Sequence, residues 1–217
     1  MSTIFTNYLK DIDAIIIGGG KIISYEDNRE IFSVDVICVD RGVDYAFKNG
    51  IDFKIAVGDF DSCSEESISY IEFQKINTLK FDREKDYTDL ELAINYVRDK
   101  NYKRVLLLGC TGTRLDHTLS NINLLAKHSD DKLNLLILDD NNLLQIVRKR
   151  IYLKKSELNI SILPTHEDSI FSIYGSKWEL NDHYIEYGSS LTISNEFKRD
   201  VEIEVKKGSI LLFLSKD

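Results

Sequence analysis

The chain has 217 residues, of which 43% are hydrophobic and 29% are charged, and its formal net charge at pH 7 is −8. This length allows one large domain or two small ones, each with a real core. The acidic balance argues against general binding to nucleic acid or to anionic membranes. No apolar run approaches the roughly 20 residues of a membrane-spanning helix. Residues 1–13 lack the basic and apolar regions of a signal peptide, so we expect none.

The cysteines indicate the redox compartment. Cys38, Cys63 and Cys110 show no metal-ligand spacing, and their number is odd. We therefore expect free thiols in a reducing compartment, and a cytoplasmic protein.

Up to about Asp140, short apolar runs alternate with helical patterns. The apolar runs are nearly continuous, as expected for strands of a sheet that is covered on both faces. They predict strands at residues 15–17, 36–39, 55–57, 78–81, 105–108 and 133–138. Helices are predicted at residues 43–48, 64–74, 89–100 and 118–128. This alternation predicts a mostly parallel, three-layer α/β domain over residues 1–140.

After Asp140 the helical patterns stop, and apolar residues recur at every second position. This period predicts strands around residues 160–162, 171–173, 191–193, 201–205 and 210–214. A hairpin turn is predicted at residues 206–209, between the last two strands. We expect a small antiparallel β-sandwich domain over residues 141–217, and the turn residues at 139–142 mark the boundary.

Polar loops follow the predicted parallel strands, at the edge where open α/β sheets bind ligands. They are residues 18–20, 40–42, 58–62, 82–89 and 109–117. In the third loop, Asp59 and Asp61 in extended backbone would lie on one face, about 6.6 Å apart at Cα. Gathered carboxylates repel each other unless a cation lies among them, and all-oxygen ligation suits Mg²⁺. A solvated acidic turn is the alternative reading of this run.

The fourth and fifth loops lead into helices. Thr88 and Glu91 form a predicted capping box, which places Asp89 in the first helical turn, where the helix dipole favours an acid whatever its function. In residues 109–117, glycines offer N–H groups to a phosphate, and Arg114 can hold phosphate oxygens with two hydrogen bonds. Asp116 can ligate a metal or orient Arg114. Glycine loop, arginine and acids together predict phosphoryl transfer.

Ordered motifs in this chain resemble those of the thiamine pyrophosphokinase family. They are residues 40–42 (DRG), 58–62 (GDFDS), 85–91 (KDYTDLE), 109–117 (GCTGTRLDH), 175–180 (GSKWEL) and 194–197 (SNEF). The resemblance runs from about Val36 to Phe213. It implies transfer of a diphosphate group from ATP to the hydroxyethyl group of thiamine, which gives thiamine diphosphate and AMP. It also implies a homodimer with active sites at the subunit interface.

The resemblance also implies roles for individual residues. Asp59, Asp61 and Asp89 would hold Mg²⁺ and, with Arg114 and Asp116, form the catalytic group. The ATP phosphates would be contacted by Asp40, Asp86, Thr88, Gly112 and Arg114. Trp178 would stack on the thiamine pyrimidine, with Ser194 and Asn195 lining the same pocket. Without the resemblance, Trp178 reads as a core aromatic. Thr113 departs from the family pattern, since many members have a second glycine there, and residues 18–20 receive no role.

Two alternative enzymes share parts of this pattern. A diphosphokinase acting on a pterin alcohol would use the same phosphate machinery with a different second domain. A nucleotide-sugar glycosyltransferase also has an Asp-x-Asp metal pair but does not need Arg114 in a glycine loop. A dinucleotide-binding fingerprint is broken by Ile23, and Cys63 breaks the motif of haloacid-dehalogenase phosphatases. A nucleotide sensor, which would bind Mg-ATP without releasing AMP, is the non-catalytic alternative.

Overall fold

A computed structural model describes residues 4–80, 86–165 and 168–216. The chain divides into two units, Met1–Asp140 and Asn141–Asp217. Within the described residues, no helix has both the length and the apolar character that crossing a membrane requires.

The first unit is built on a parallel sheet with the strand order β6-β5-β1-β2-β3-β4. Its strands are β1 (Ala14–Ile17), β2 (Asp35–Val39), β3 (Ile55–Val57), β4 (Asn77–Leu79), β5 (Arg104–Leu108) and β6 (Asn134–Leu138). Almost every residue of β1, β2, β3, β5 and β6 is buried, which explains their continuous apolar sequence. The six predicted strands are confirmed. The end of the predicted fourth strand, Phe81, lies outside the described residues.

Four α-helices accompany this sheet in the described part of the unit. They are α1 (Gly42–Lys48), α2 (Glu65–Gln74), α3 (Asp89–Asp99) and α4 (Leu115–His128). The first three begin within one residue of their predicted starts. Helix α4 begins three residues before the predicted Thr118, because its first turns are largely exposed and lack the buried apolar residues, such as Leu124 and Leu125, that mark its second half.

The second unit consists of two antiparallel sheets that share one long strand. Its strands are β7 (Asn142–Val147), β8 (Arg150–Leu153), β9 (Asn159–Pro164), β10 (Ser169–Ser176), β11 (Leu180–Ile185), β12 (Asn195–Lys207) and β13 (Ile210–Ser215). In one sheet, β13 lies between β7 and β9, and β9 pairs with the start of β12. In the other, β10 lies between β11 and β12, and β12 also pairs with β8. The predicted α/β domain followed by an antiparallel β-domain is confirmed.

Two predictions within the second unit are wrong. Residues 191–193 form a turn rather than a strand, and Leu191 and Ile193 are 65% and 44% exposed. Thr192 is the inward-facing residue there, and its carbonyl accepts the Ile162 N–H at 3.0 Å. Of residues 206–209, the first two end strand β12 and the chain turns at 208–209, with Gly208 at φ +73°. However, the described pairings of β12 and β13 are all with other strands, so the turn is a corner between sheets and not a hairpin.

Candidate active site

A cleft of about 960 Å³ lies at the carboxyl edge of the parallel sheet in the first unit. It is lined by the loops after β1, β2, β3 and β5 and by the first turns of α3 and α4. The main lining residues are Gly18, Gly19, Gly20, Asp40, Ser62, Tyr87, Thr88, Asp89, Gly112, Arg114, Asp116 and Asn121. The convergence of the loops at this edge, predicted from sequence, is therefore observed.

Glycines bring two of these loops into direct backbone contact. Gly20 N–H donates to the Gly109 carbonyl at 2.8 Å, which extends the pairing of β1 with β5 into the loops. A Cβ on Gly20 would lie 2.5 Å from the carbonyl oxygen of Thr111, and Gly109 has φ +66°. Residues 18–20, which the sequence left without a role, thus shape the floor of the cleft. Their signal in the sequence was the triple glycine itself.

Asp40 enters the cleft from a strained backbone position. Its φ is +45°, and its N–H donates to the Val57 carbonyl at 3.1 Å. A Cβ on Gly58 would lie 2.1 Å from Asp40 Oδ1, and Gly58 itself has φ +137°. Gly58 is therefore the residue that makes room for the Asp40 carboxylate.

The geometry predicted for Asp59 and Asp61 is wrong. The intervening Phe60 has φ +61° and is buried, so this run is a turn and the extended-chain spacing does not apply. The Asp59 carboxylate accepts the Asp61 N–H at 3.1 Å, as in an Asx-turn. This loop contributes Ser62 to the described lining of the cleft, which includes neither Asp59 nor Asp61.

Helix α3 begins at the cleft with half of its predicted capping box. Thr88 Oγ1 accepts the Glu91 N–H at 3.2 Å, so the N-cap is confirmed. The Glu91 carboxylate does not reach back to Thr88; it accepts hydrogen bonds from Lys127 Nζ at 2.6 Å and His128 Nε2 at 2.8 Å. Burial raises the pKa of Glu91, but these hydrogen bonds outweigh it and hold the pKa below its ordinary value. Glu91 thus joins the first turn of α3 to the last turn of α4.

Helix α4 begins at the cleft with an ion pair. Arg114 donates to both carboxylate oxygens of Asp116, from Nε at 3.2 Å and from Nη2 at 2.6 Å. Asp116 was predicted either to ligate a metal or to orient Arg114, and this geometry fits the second role. The hydrogen bond from Arg114 is the main reason that the pKa of Asp116 is lowered to about 2. The Gly112 N–H donates to Thr118 Oγ1 at 3.2 Å.

The predicted metal ligands do not form a ready-made cage. Among the described residues, no group of three or more His, Cys, Asp or Glu side chains has an arrangement that could hold a metal ion. Asp89 lines the cleft, whereas Asp86 is exposed and is not among the described lining residues. Mg²⁺ in nucleotide sites usually takes one or two carboxylates together with phosphate oxygens and water. The carboxylate of Asp89 on the wall of a polar cleft fits that donor set.

The second unit contains the residues expected to bind thiamine. Trp178 is 54% exposed, so the alternative reading as a core aromatic is wrong. Asn195 is buried, and its side chain bonds to the backbone of Trp178, from which Oδ1 accepts the N–H at 3.1 Å. Ser194 is exposed, has φ +58° and donates its N–H to Ser161 Oγ at 2.9 Å. The structure thus brings Trp178 and Asn195 together.

Sequence reasoning missed some cleft residues. Tyr87 is 48% exposed and lines the cleft beside Thr88, and its ring contacts Lys127 Nζ at 5.6 Å from the centroid. Asn121 also lines it and donates to the Cys110 carbonyl at 2.8 Å. Tyr87 could have been found from its place between two predicted site residues, whereas nothing in the sequence distinguishes Asn121.

When the chain is compared with known proteins, both units match domains of the same family. Residues 32–137 match the model of the thiamin pyrophosphokinase catalytic domain, and residues 148–210 match that of the thiamin pyrophosphokinase vitamin B1 binding domain. Thiamine pyrophosphokinase of Bacillus subtilis is 34% identical over 191 residues, which cover 84% of this chain and 87% of that protein.

Solved structures agree with this match. The crystal structure of thiamine pyrophosphokinase from Bacillus subtilis has a TM-score of 0.85 at 29% identity, covering 94% of this chain and 99% of that one. The structure of thiamin pyrophosphokinase from Geobacillus thermodenitrificans has a TM-score of 0.82 at 28% identity, covering 94% and 97%. With its two domain matches in the expected order, this chain belongs to the thiamine pyrophosphokinase family.

Proposed function

We propose that this chain transfers a diphosphate group from ATP to the hydroxyethyl oxygen of thiamine, giving thiamine diphosphate and AMP. The observation that carries the proposal is the cleft of the first unit, where Asp89 and Arg114 line one polar space at the starts of two helices. Helix N-termini and arginine favour a polyanion such as the triphosphate of ATP. Family membership supports thiamine as the acceptor.

The nucleotide phosphates are assigned to residues of the first unit. Arg114 is oriented by Asp116 and keeps N–H donors beyond the two used in that pair. The Thr88 oxygen accepts the N–H of Glu91, which leaves the hydroxyl proton to donate to a phosphate oxygen. We add Asp40, Asp86 and Gly112 as further contacts around the triphosphate, a proposal that rests on the family motifs.

We propose Mg²⁺ as the metal, held by Asp89 and by Asp59 and Asp61 of the neighbouring loop. Bound there, the ion would neutralise charge on the triphosphate. The Asp59 carboxylate accepts the Asp61 N–H in an Asx-turn, and its role as a ligand is proposed from the family motif.

The reaction proposed is an in-line displacement at the β-phosphorus. The substrate hydroxyl oxygen forms a bond to that phosphorus while the bond to the bridging oxygen of AMP breaks. The hydroxyl proton passes to a carboxylate, either Asp89 or Asp61. Arg114 balances the negative charge that develops on the transferred group.

The acceptor is assigned to the second unit. We propose that Trp178 stacks on the thiamine pyrimidine and that Ser194 and Asn195 belong to the same pocket. The exposed indole supports this assignment, because a large aromatic ring in water is an available stacking surface. A homodimer with active sites at the subunit interface, and a cytoplasmic location, remain predictions.

Product chromatography tests this function. Purified protein, Mg-ATP and thiamine should yield thiamine diphosphate and AMP in equal amounts, and no AMP should form without thiamine. Asp89→Asn should lower the rate by roughly a hundredfold or more, since it removes a charge at the site of phosphate chemistry. Asp99→Asn makes the same change at the exposed far end of α3 and should leave the rate unchanged.

Three results would reject the assignment. ADP with thiamine monophosphate would mean that a single phosphate is transferred. AMP formed with a pterin alcohol but not with thiamine would favour the related diphosphokinase. Binding of Mg-ATP with no turnover would leave a nucleotide sensor.

A further inference from the structure

The peptide of Trp178 is held on both sides by one buried amide. Asn195 Oδ1 accepts the Trp178 N–H at 3.1 Å, and Asn195 Nδ2 donates to the Trp178 carbonyl at 2.8 Å. Ser176 Oγ donates to the same carbonyl at 3.1 Å and accepts from Asn195 Nδ2 at 3.2 Å. Trp178 lies between β10 and β11, and the strand pairings described for these two strands do not include it. The Asn195 amide therefore takes the place of a strand neighbour.

A lysine covers one face of the same indole. Lys177 Nζ lies 4.5 Å from the centroid of the Trp178 ring. Glu196 holds that ammonium at 2.6 Å and also accepts the Lys177 N–H through its backbone carbonyl at 2.8 Å. Residues 195 and 196, at the start of β12, thus fix both the peptide of Trp178 and the cation on its ring. The ring is nevertheless 54% exposed, so surface remains for a ligand.

We propose that Asn195 is a positioning residue that presets Trp178 as a stacking platform, and that Lys177, held by Glu196, restricts the platform to one face and selects an uncharged ring. The selection is electrostatic. The Lys177 ammonium over one face of the indole makes the approach of a second cation to the opposite face less favourable; its pairing with Glu196 weakens this repulsion without removing the ammonium from the ring. Thiamine has a neutral aminopyrimidine and a cationic thiazolium, so the platform takes the pyrimidine. The acceptor chemistry in this inference rests on the proposed function; the preset platform does not.

Fluorescence reports on the platform directly, because Trp178 is the single tryptophan of the chain. In the protein without ligands, Asn195→Ala should increase quenching by acrylamide and lower the fluorescence anisotropy of Trp178, since its peptide loses both bonds to the amide. Asn195→Asp keeps the acceptor and loses the donor, so it should show a smaller change in the same direction. Asn181→Ala is the control: it removes an exposed amide oxygen that accepts a hydrogen bond from Tyr174 Oη, and the described hydrogen bonds of Trp178 do not include Asn181.

Kinetics separate positioning from general destabilisation. Asn195→Ala should raise the KM for thiamine about tenfold, or about 1.4 kcal/mol, while the KM for ATP changes less than twofold. If Asn195 had only a structural role, Asn195→Ala would lower the melting temperature without raising the KM for thiamine more than the KM for ATP. Unchanged quenching and unchanged thiamine KM in folded Asn195→Ala would overturn the positioning role, as would equal effects of Asn181→Ala.

The charge selection is tested with the two halves of thiamine as separate probes. The neutral aminopyrimidine should quench Trp178 at lower concentration than an N-methylthiazolium does, and Lys177→Met should narrow that difference. Equal quenching by both probes in the unchanged protein would overturn the selection by Lys177. If the unchanged protein makes no thiamine diphosphate, the proposed function fails, yet the quenching of the Asn195 variants still decides the preset platform.

Discussion

Single residues in the cleft are constrained by the space around their backbone. Gly58 has a φ that side chains rarely adopt, and the Asp40 carboxylate occupies the position of its missing Cβ. Gly50 also has a positive φ, of +61°, but nothing lies within 4 Å of where its Cβ would be. Gly58 therefore combines strong backbone strain with a steric conflict at a site residue, whereas Gly50 has only the milder strain of the left-handed region.

We expect Gly58→Ala to cost about 3 kcal/mol of unfolding free energy and to displace Asp40, whereas Gly50→Ala should cost about 1 kcal/mol. Chemical denaturation measures both, and Gly50→Ala is the control for a side chain at a positive φ with no steric conflict. Equal costs would show that the contact with Asp40 is easily relieved.

The ion pair between Arg114 and Asp116 should depend on pH in a predictable way. Because the pKa of Asp116 is lowered to about 2, the pair should persist at pH values below the ordinary pKa of an aspartate and break only as the pH falls through about 2. In Arg114→Met, NMR titration of the carboxyl groups should show the Asp116 midpoint raised toward about 3.9 but still below it, because the backbone hydrogen bond from His117 remains. Asp130, whose pKa is also lowered to about 2, chiefly by Arg98, should keep its midpoint and serves as the internal control. An unmoved Asp116 midpoint would contradict the pairing.

At the scale of elements, two helices begin with the same kind of cap in different surroundings. Thr88 caps α3 inside the cleft, and Ser64 caps α2 through a hydrogen bond from the Ser67 N–H at 3.3 Å. Ser64 also bonds to Asp44, in a group that does not line the cleft. The loss of a capping residue should therefore lower activity only where that residue lies in the cleft.

Thr88→Ala and Ser64→Ala should each lower the free energy of unfolding by about 1 kcal/mol. Only Thr88→Ala should also lower activity, because it removes a hydroxyl from the phosphate cleft. Thermal unfolding and the rate of AMP formation, measured on the same samples, check this. Comparable losses of activity in the two variants would indicate a general effect of stability.

The bond between Glu91 and His128 is another link between elements. His128→Leu removes a donor to a buried carboxylate, and we expect it to destabilise the protein by about 2 kcal/mol and to raise the KM for ATP through the displaced first turn of α3. His128→Gln keeps an N–H donor and should recover most of both losses. Calorimetry and steady-state kinetics measure the two effects, and a full loss in the glutamine variant would contradict a role through this hydrogen bond.

Across the whole molecule, the sequence predicted what depends on local pattern. The strands of the first unit could be predicted because burial on both faces makes them continuously apolar. The N-cap at Thr88 could be predicted because it depends only on residues within three positions along the chain. The turn at Asp59 was not predictable, because it depends on the positive φ of Phe60. The partners of Glu91 lie more than 30 residues away, and the polar edge strand β11 has no apolar period to reveal it.

At the scale of the whole molecule, we predict that two copies of the chain assemble into a dimer. We expect sedimentation velocity to give twice the mass of a single chain, and the specific activity to fall on dilution together with the dimer fraction, since active sites at a subunit interface are incomplete in a monomer. A fully active monomer would contradict this prediction.

The position of β13 has a consequence for the nascent chain. This strand lies between β7 and β9, and Ile210 pairs with Val147. At the usual speed of a ribosome, the stretch between these two residues takes about 3–13 s to appear. Until β13 has been made, the edges of β7 and β9 with which it pairs stay open, so this sheet is completed after nearly all of the second unit has been translated.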